Sequence, residues 1–156
     1  MSDAALNAFR DFLLARGREE PAVRDVVALT GPEARADLAV RWVVADRAYY
    51  DTRVDLARGI VEPGFSTESR VLNETIEQGI LDSRDELPEI INDELYERGE
   101  REEVEVLHFF ERPAFRFTAR LPLTGPEALS DPQFRQRVLN CLAAFQAFMQ
   151  RFVEEE

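Results

Sequence analysis

The stretch Leu38 to Leu56, LAVRWVVADRAYYDTRVDL, alternates apolar and polar side chains on both sides of a short polar interruption. Alternation with period two marks a half-buried strand, because successive side chains point to opposite faces. The even positions of the first arm are Leu38, Val40, Trp42 and Val44, and those of the second are Ala48, Tyr50, Thr52, Val54 and Leu56. A loop of Ala45-Asp46-Arg47 sets Val44 opposite Ala48, Trp42 opposite Tyr50 and Val40 opposite Thr52, which gathers every even position on one face. The same register brings Arg41 opposite Asp51 on the other face. Hydrophobic face and charge pair agree, so the segment is predicted to be a β-hairpin.

Glu103 to Leu121, EVEVLHFFERPAFRFTARL, repeats the pattern. Phe115, Phe117, Ala119 and Leu121 make one face of its outgoing arm, and Val104, Val106, His108 and Phe110 make the matching face of the incoming arm. Pairing Phe110 with Phe115 brings Glu105 opposite Arg120. Arg112 and Pro113 occupy the turn.

Helical spacing fills the rest. Leu6, Phe9, Phe12 and Leu13 predict a helix over 3–16, with Gly17 as its stop. VRDVVAL (Val23 to Leu29) is short and β-branched, a third strand. After Leu56, Gly59, Pro63 and Gly64 read as breakers. Ser66 or Thr67 then caps a helix carrying Val71, Leu72, Ile76, Ile80 and Leu81. Pro88 interrupts it or starts a second helix with Ile90, Ile91, Leu95 and Tyr96, closed by Gly99. Asp131 and Pro132 open a last helix whose stripe is Phe134, Val138, Cys141, Leu142, Phe145, Phe148, Met149 and Phe152. The hexapeptide Leu-Thr-Gly-Pro-Glu-Ala occurs at Leu29 and again at Leu123, each time after a strand and before a different element. It reads as repeated punctuation, not duplication. The expected whole is one α+β domain over 1–156: helix, three strands, helical segment, two strands, long helix, with an antiparallel sheet carrying its helices on one face.

Charge bounds the partners. The chain holds 31 acidic and 19 basic residues, net −12, and every base is arginine. An acidic surface repels phosphate backbones, so neither nucleic acid nor an anionic membrane is an expected partner. Acid excess without lysine suits a salt-adapted proteome, in which salt screens self-repulsion, or a genome that spells its bases as arginine. A single Cys141 and an acidic N-terminus without a basic leader suggest the cytoplasm.

The element order, the small acidic chain and the segments FRFTARLPLTG and FRQRVLNCLAAFQAFMQRFVEE resemble the type III secretion chaperone-like fold, including the YbjN-like proteins. That resemblance implies a protein that binds other proteins, often as a homodimer.

No reactive constellation stands out. His108, the lone histidine, is expected to be a hydrogen-bonded residue of a strand's buried face. Cys141 lies in the apolar stripe of the last helix, where burial keeps a thiol inert. The eleven carboxylates between Asp82 and Glu105 lack an EF-hand loop and read as a solvated face. No glycine-rich phosphate motif occurs. No catalytic, cofactor or metal residue is therefore assigned. Val43, Tyr49, Leu107 and Phe109 point away from the presumed core, among Arg41, Asp51, Arg53, Glu105, Arg116 and Arg120. Aromatics with arginine suit an interface. The function expected is a non-enzymatic protein-binding module, homodimeric through that face. The alternative is a small enzyme or ligand-binding domain with a pocket near Trp42, Tyr50, His108 and Phe117.

Overall fold

A computed structural model describes residues 2–155. The elements are α1 (Ser2–Glu19), β1 (Asp25–Leu29), β2 (Leu38–Ala45), β3 (Ala48–Asp55), β4 (Ile60–Thr67), α2 (Arg70–Ser83), α3 (Leu87–Glu97), β5 (Glu105–Glu111), β6 (Ala114–Pro122) and α4 (Pro132–Glu155), with short 3-10 turns at Gly31–Glu33 and Pro126–Ser130. The strands form one six-stranded antiparallel sheet in the order β1-β2-β3-β4-β6-β5. The α+β class and the helices on one face are as expected.

Both hairpins hold their predicted registers at Arg41–Asp51, Trp42–Tyr50, Val40–Thr52, Phe110–Phe115 and Glu105–Arg120. The first turn differs by one residue. Ala45 pairs with Ala48 across a bulge, leaving a turn of Asp46 and Arg47, so Val44 no longer faces Ala48. Val44 stays buried on the helix side.

β4 is a strand that the breakers Gly59, Pro63 and Gly64 argue against. Gly59 does turn the chain, at φ +63°, but Pro63 and Gly64 lie inside an interior strand. Proline has no N–H for the ladder and is unusual there. The β4–β6 ladder is interrupted at Glu62 and Pro63, and Thr118 Oγ1 donates to the Pro63 carbonyl at 3.1 Å. A Cβ on Gly64 would overlap the Phe117 carbonyl oxygen, so glycine permits the two backbones to approach there. Because β4 runs to Thr67, Ser66 and Thr67 are strand residues. Ser69 is the cap of α2, accepting the Leu72 amide at 3.1 Å.

Gly17 does not stop α1, which continues to Glu19. Its role is contact: a Cβ there would lie 2.6 Å from Trp42 Nε1. Trp42 Nε1 in turn donates to the Leu13 carbonyl at 3.0 Å, fixing α1 on β2. Pro88 starts α3. Asp131 Oδ1 accepts the Gln133 amide at 3.0 Å, the capping expected for α4. The core lies between sheet and helices, with Phe9 and Leu13 of α1, Leu72 and Ile76 of α2, Ile91 and Leu95 of α3, and Phe145 and Met149 of α4. Val71, Leu81 and Tyr96 fall on the solvent side of their helices. Among the described residues, no helix is long and apolar enough to cross a membrane.

Candidate functional site

The face of the sheet turned away from the helices carries three cross-strand rows. One runs Val43, Tyr49, Ser66, Arg116, Phe109. The next runs Val27, Arg41, Asp51, Gly64, Thr118, Leu107. The third includes Ala39, Arg53, Glu62 and then, on the far strands, Arg120 and Glu105. All four expected partner-binding residues, Val43, Tyr49, Leu107 and Phe109, lie on this face and are half-buried. They do not form one patch. Buried Ser66 and Arg116 separate Tyr49 from Phe109.

This face is not simply wet. Asp51 and Arg116 are only 2% and 3% exposed. Long-range contacts across the face explain why. Arg53 of β3 meets Glu111 of β5 at 2.7 Å, and Arg35, before β2, reaches both Glu111 and the Arg112 carbonyl. In a flat sheet Arg53 and Glu111 would stand about 14 Å apart across three strand spacings and roughly 20 Å apart along them. Their contact requires a strongly coiled sheet, so that opposite corners meet over the open face. That face is therefore concave, and its charges close on one another.

Asp51 is the hub. Its carboxylate accepts from Arg41 Nε at 3.0 Å and Nη2 at 3.2 Å, from Ser66 Oγ at 2.7 Å and from Arg116 Nη1 at 3.4 Å. Burial opposes the Arg41 charge, but Asp51 outweighs it and holds that pKa above the ordinary value. Burial depresses Arg116, which Asp51 offsets only in part. Arg116 Nε has no hydrogen-bond partner among the described residues. Burial would raise Glu111, yet Arg53, with Arg116 and Arg35, holds it below the usual carboxylate range. Arg120 is bound to Glu62 at 2.9 Å and lies 3.8 Å from Glu105. The charged side chains around the four apolar residues are thus paired within one chain.

What the concave face leaves open is its border, β5. This strand ends the sheet, and among the described residues no backbone hydrogen bond joins it to anything but β6. Phe110, expected to face the helices, extends past them and is 56% exposed, resting on Phe115 at 4.8 Å. His108 is hydrogen-bonded as expected, Nε2 to Asn73 Oδ1 at 3.0 Å, and its ring stacks on Phe117 at 3.8 Å. It is less buried than expected, with 24% of its side chain exposed. Burial lowers its pKa, against the pull of Glu77 at 3.8 Å. The other edge is guarded: β1 has five residues, and the Asp25 carboxylate takes the Val26 amide at 2.9 Å.

The pocket expected near Trp42, Tyr50, His108 and Phe117 does not assemble. Tyr50 and Phe117 are core residues, Trp42 borders a cleft of about 420 Å³ between α1 and α4, and His108 is on the edge. A larger cleft, about 630 Å³, opens instead at the end of the sheet between the β2–β3 turn, Ser69 and Glu154. Among the described residues, no three His, Cys, Asp or Glu side chains gather to hold a metal. Cys141 is buried, and burial pushes its thiol up to about 12. The comparisons add nothing to the geometry: no family model, no curated protein and no solved structure was found to match this chain.

Proposed function

We propose that this chain is a protein-binding module without chemistry of its own, working in the cytoplasm, which accepts an extended segment of a partner as a further strand along β5. The observation that carries the reading is the open edge. β5 is seven residues long, and alternate residues along it turn backbone N–H and C=O groups away from β6, with Leu107 and Phe109 half-buried on the concave face and Phe110 exposed on the other. Added strands gain affinity from main-chain hydrogen bonds and specificity from alternate side chains. An edge left open in this way invites pairing. The resemblance to secretion-chaperone-like proteins points the same way, although β4 adds a strand to the element order on which that resemblance was drawn.

The homodimer reading moves from the face to the same edge. Two copies pairing through β5 about His108 would set Leu107 against Phe109, with Glu105 against Glu111. Light scattering of the purified chain distinguishes monomer from dimer. The test of the main reading is the double change Leu107→Ser with Phe109→Ser, which removes the apolar contacts without adding charge, checked by circular dichroism for retained fold. Partners captured from the native cytoplasm by the wild type should be lost by the variant. Equal capture by both would place the working surface elsewhere.

A further inference from the structure

We infer that the segment accepted by β5 is basic, carrying arginine or lysine between apolar residues; this rests on the edge-docking reading above. The strand's own arginine neighbours are already engaged: Arg116 with Asp51, Arg120 with Glu62, and Arg53 with Glu111. What faces outward around the edge is acid. Glu102, Glu103 and Glu105 lead into the strand and are exposed, and Glu77 of α2 stands 49% exposed beside His108. Arg101 and Arg112 flank the strand in sequence and Arg35 is exposed at its far end, but Arg35 is already paired with Glu111, and together they do not balance these acids. An incoming strand aligned with β5 lays alternate side chains over each face, so charges on those side chains come within reach of the glutamates. A basic segment is steered in and a like-charged one repelled. A second copy of this chain is disfavoured on the same ground, since each carries net −12 and the pairing about His108 apposes Glu105 with Glu111.

The experiment uses the full chain, isotope-labelled for NMR at low salt, and three probes. They are an alternating Val-Arg octapeptide, its Val-Glu counterpart, and the Val-Arg peptide N-methylated at alternate residues. The arginine peptide should shift the amides of residues 105–111 and bind about tenfold more tightly than the glutamate peptide. N-methylation should abolish that binding, because it removes main-chain donors. If the glutamate peptide binds the same amides equally well, edge docking stands and the basic preference falls. If the N-methylated peptide binds as well as its parent, or the shifts spread over the acids of α2 and α3, the contact is diffuse attraction and both readings fall. Concentration-dependent shifts at 105–111 without any peptide would identify a second copy as the occupant and overturn the inference.

Discussion

At the scale of residues, Asp51 shows how one carboxylate organises a face. It is buried, and it accepts from two arginines and a serine. Removing one partner of a buried ion network strands the others without compensation, which costs more than the pair contributes. Asp51→Ala should therefore destabilise by about 3–5 kcal/mol in urea denaturation. Asp82→Ala, on the exposed end of α2, should stay within about 0.5 kcal/mol. Equal losses would mean that Arg41 and Arg116 find water or other acids. The Arg41–Asp51 pair was legible in the sequence because it follows from the register of a local hairpin. Arg116 was not, because its nearness to Asp51 depends on β6 lying beside β4, a neighbour relation that no local pattern encodes. His108 gives a second test at this scale. Its folded pKa lies below the ordinary histidine value, first through burial. The unfolded chain then takes up the proton first, so this residue's contribution is present above about pH 6.5 and is lost as the pH falls through that range. His108→Gln keeps a donor for Asn73 and removes the titration. Urea melts at about pH 7.5 and about pH 5.5 should show the wild type losing more stability than the variant. Parallel losses would assign the pH dependence to other groups.

At the scale of elements, the strands and helices whose faces repeat at period two or 3.6 were legible, including the stripe of α4. Phe145 sits in that stripe with no exposed surface, and Phe145→Ala should cost about 3–5 kcal/mol on chemical denaturation. A loss below about 1 kcal/mol would put the stripe against something other than the sheet. β4 was illegible for a physical reason. It is buried on both faces over Val61 to Thr67, so its residues do not alternate, and it contains the two residue types that ordinarily end strands. Pro63 is tolerated because the ladder is interrupted beside it, and Gly64 because the β6 backbone passes too close for a side chain. Gly64→Ala should accordingly cost about 3 kcal/mol or more, since the obstacle is backbone that cannot rotate aside. A nearly neutral Gly64→Ala would mean that β4 and β6 separate easily, and that the coil of the sheet does not depend on their approach. The candidate site was half legible: Leu107 and Phe109 were placed on the correct face, but that they border an open edge follows from strand order.

At the scale of the whole molecule, two electrostatic effects oppose each other, and salt separates them. Net charge of −12 makes the compact state repel itself, and added salt relieves this over distances beyond about 8–10 Å. Against that, Arg53 and Glu111 hold opposite corners of the sheet together and are partly exposed, so salt also weakens their attraction. The Asp51–Arg116 contact, almost fully buried, is screened much less. Self-repulsion acts among many exposed acids and the clasp among few groups, so the first effect should win. Thermal melts followed by circular dichroism should rise by about 4 °C or more in molar KCl, roughly 1 kcal/mol for a chain of this size. Glu111→Gln should melt lower than the wild type without salt, having lost the clasp. It should also gain more from KCl than the wild type does, because it has no clasp left to be screened. A wild-type melting temperature that falls with salt would reverse the ranking: the coil of the sheet would then rest on ion pairs more than on the apolar core beneath it, and the acidic surface would carry no sign of adaptation to salt.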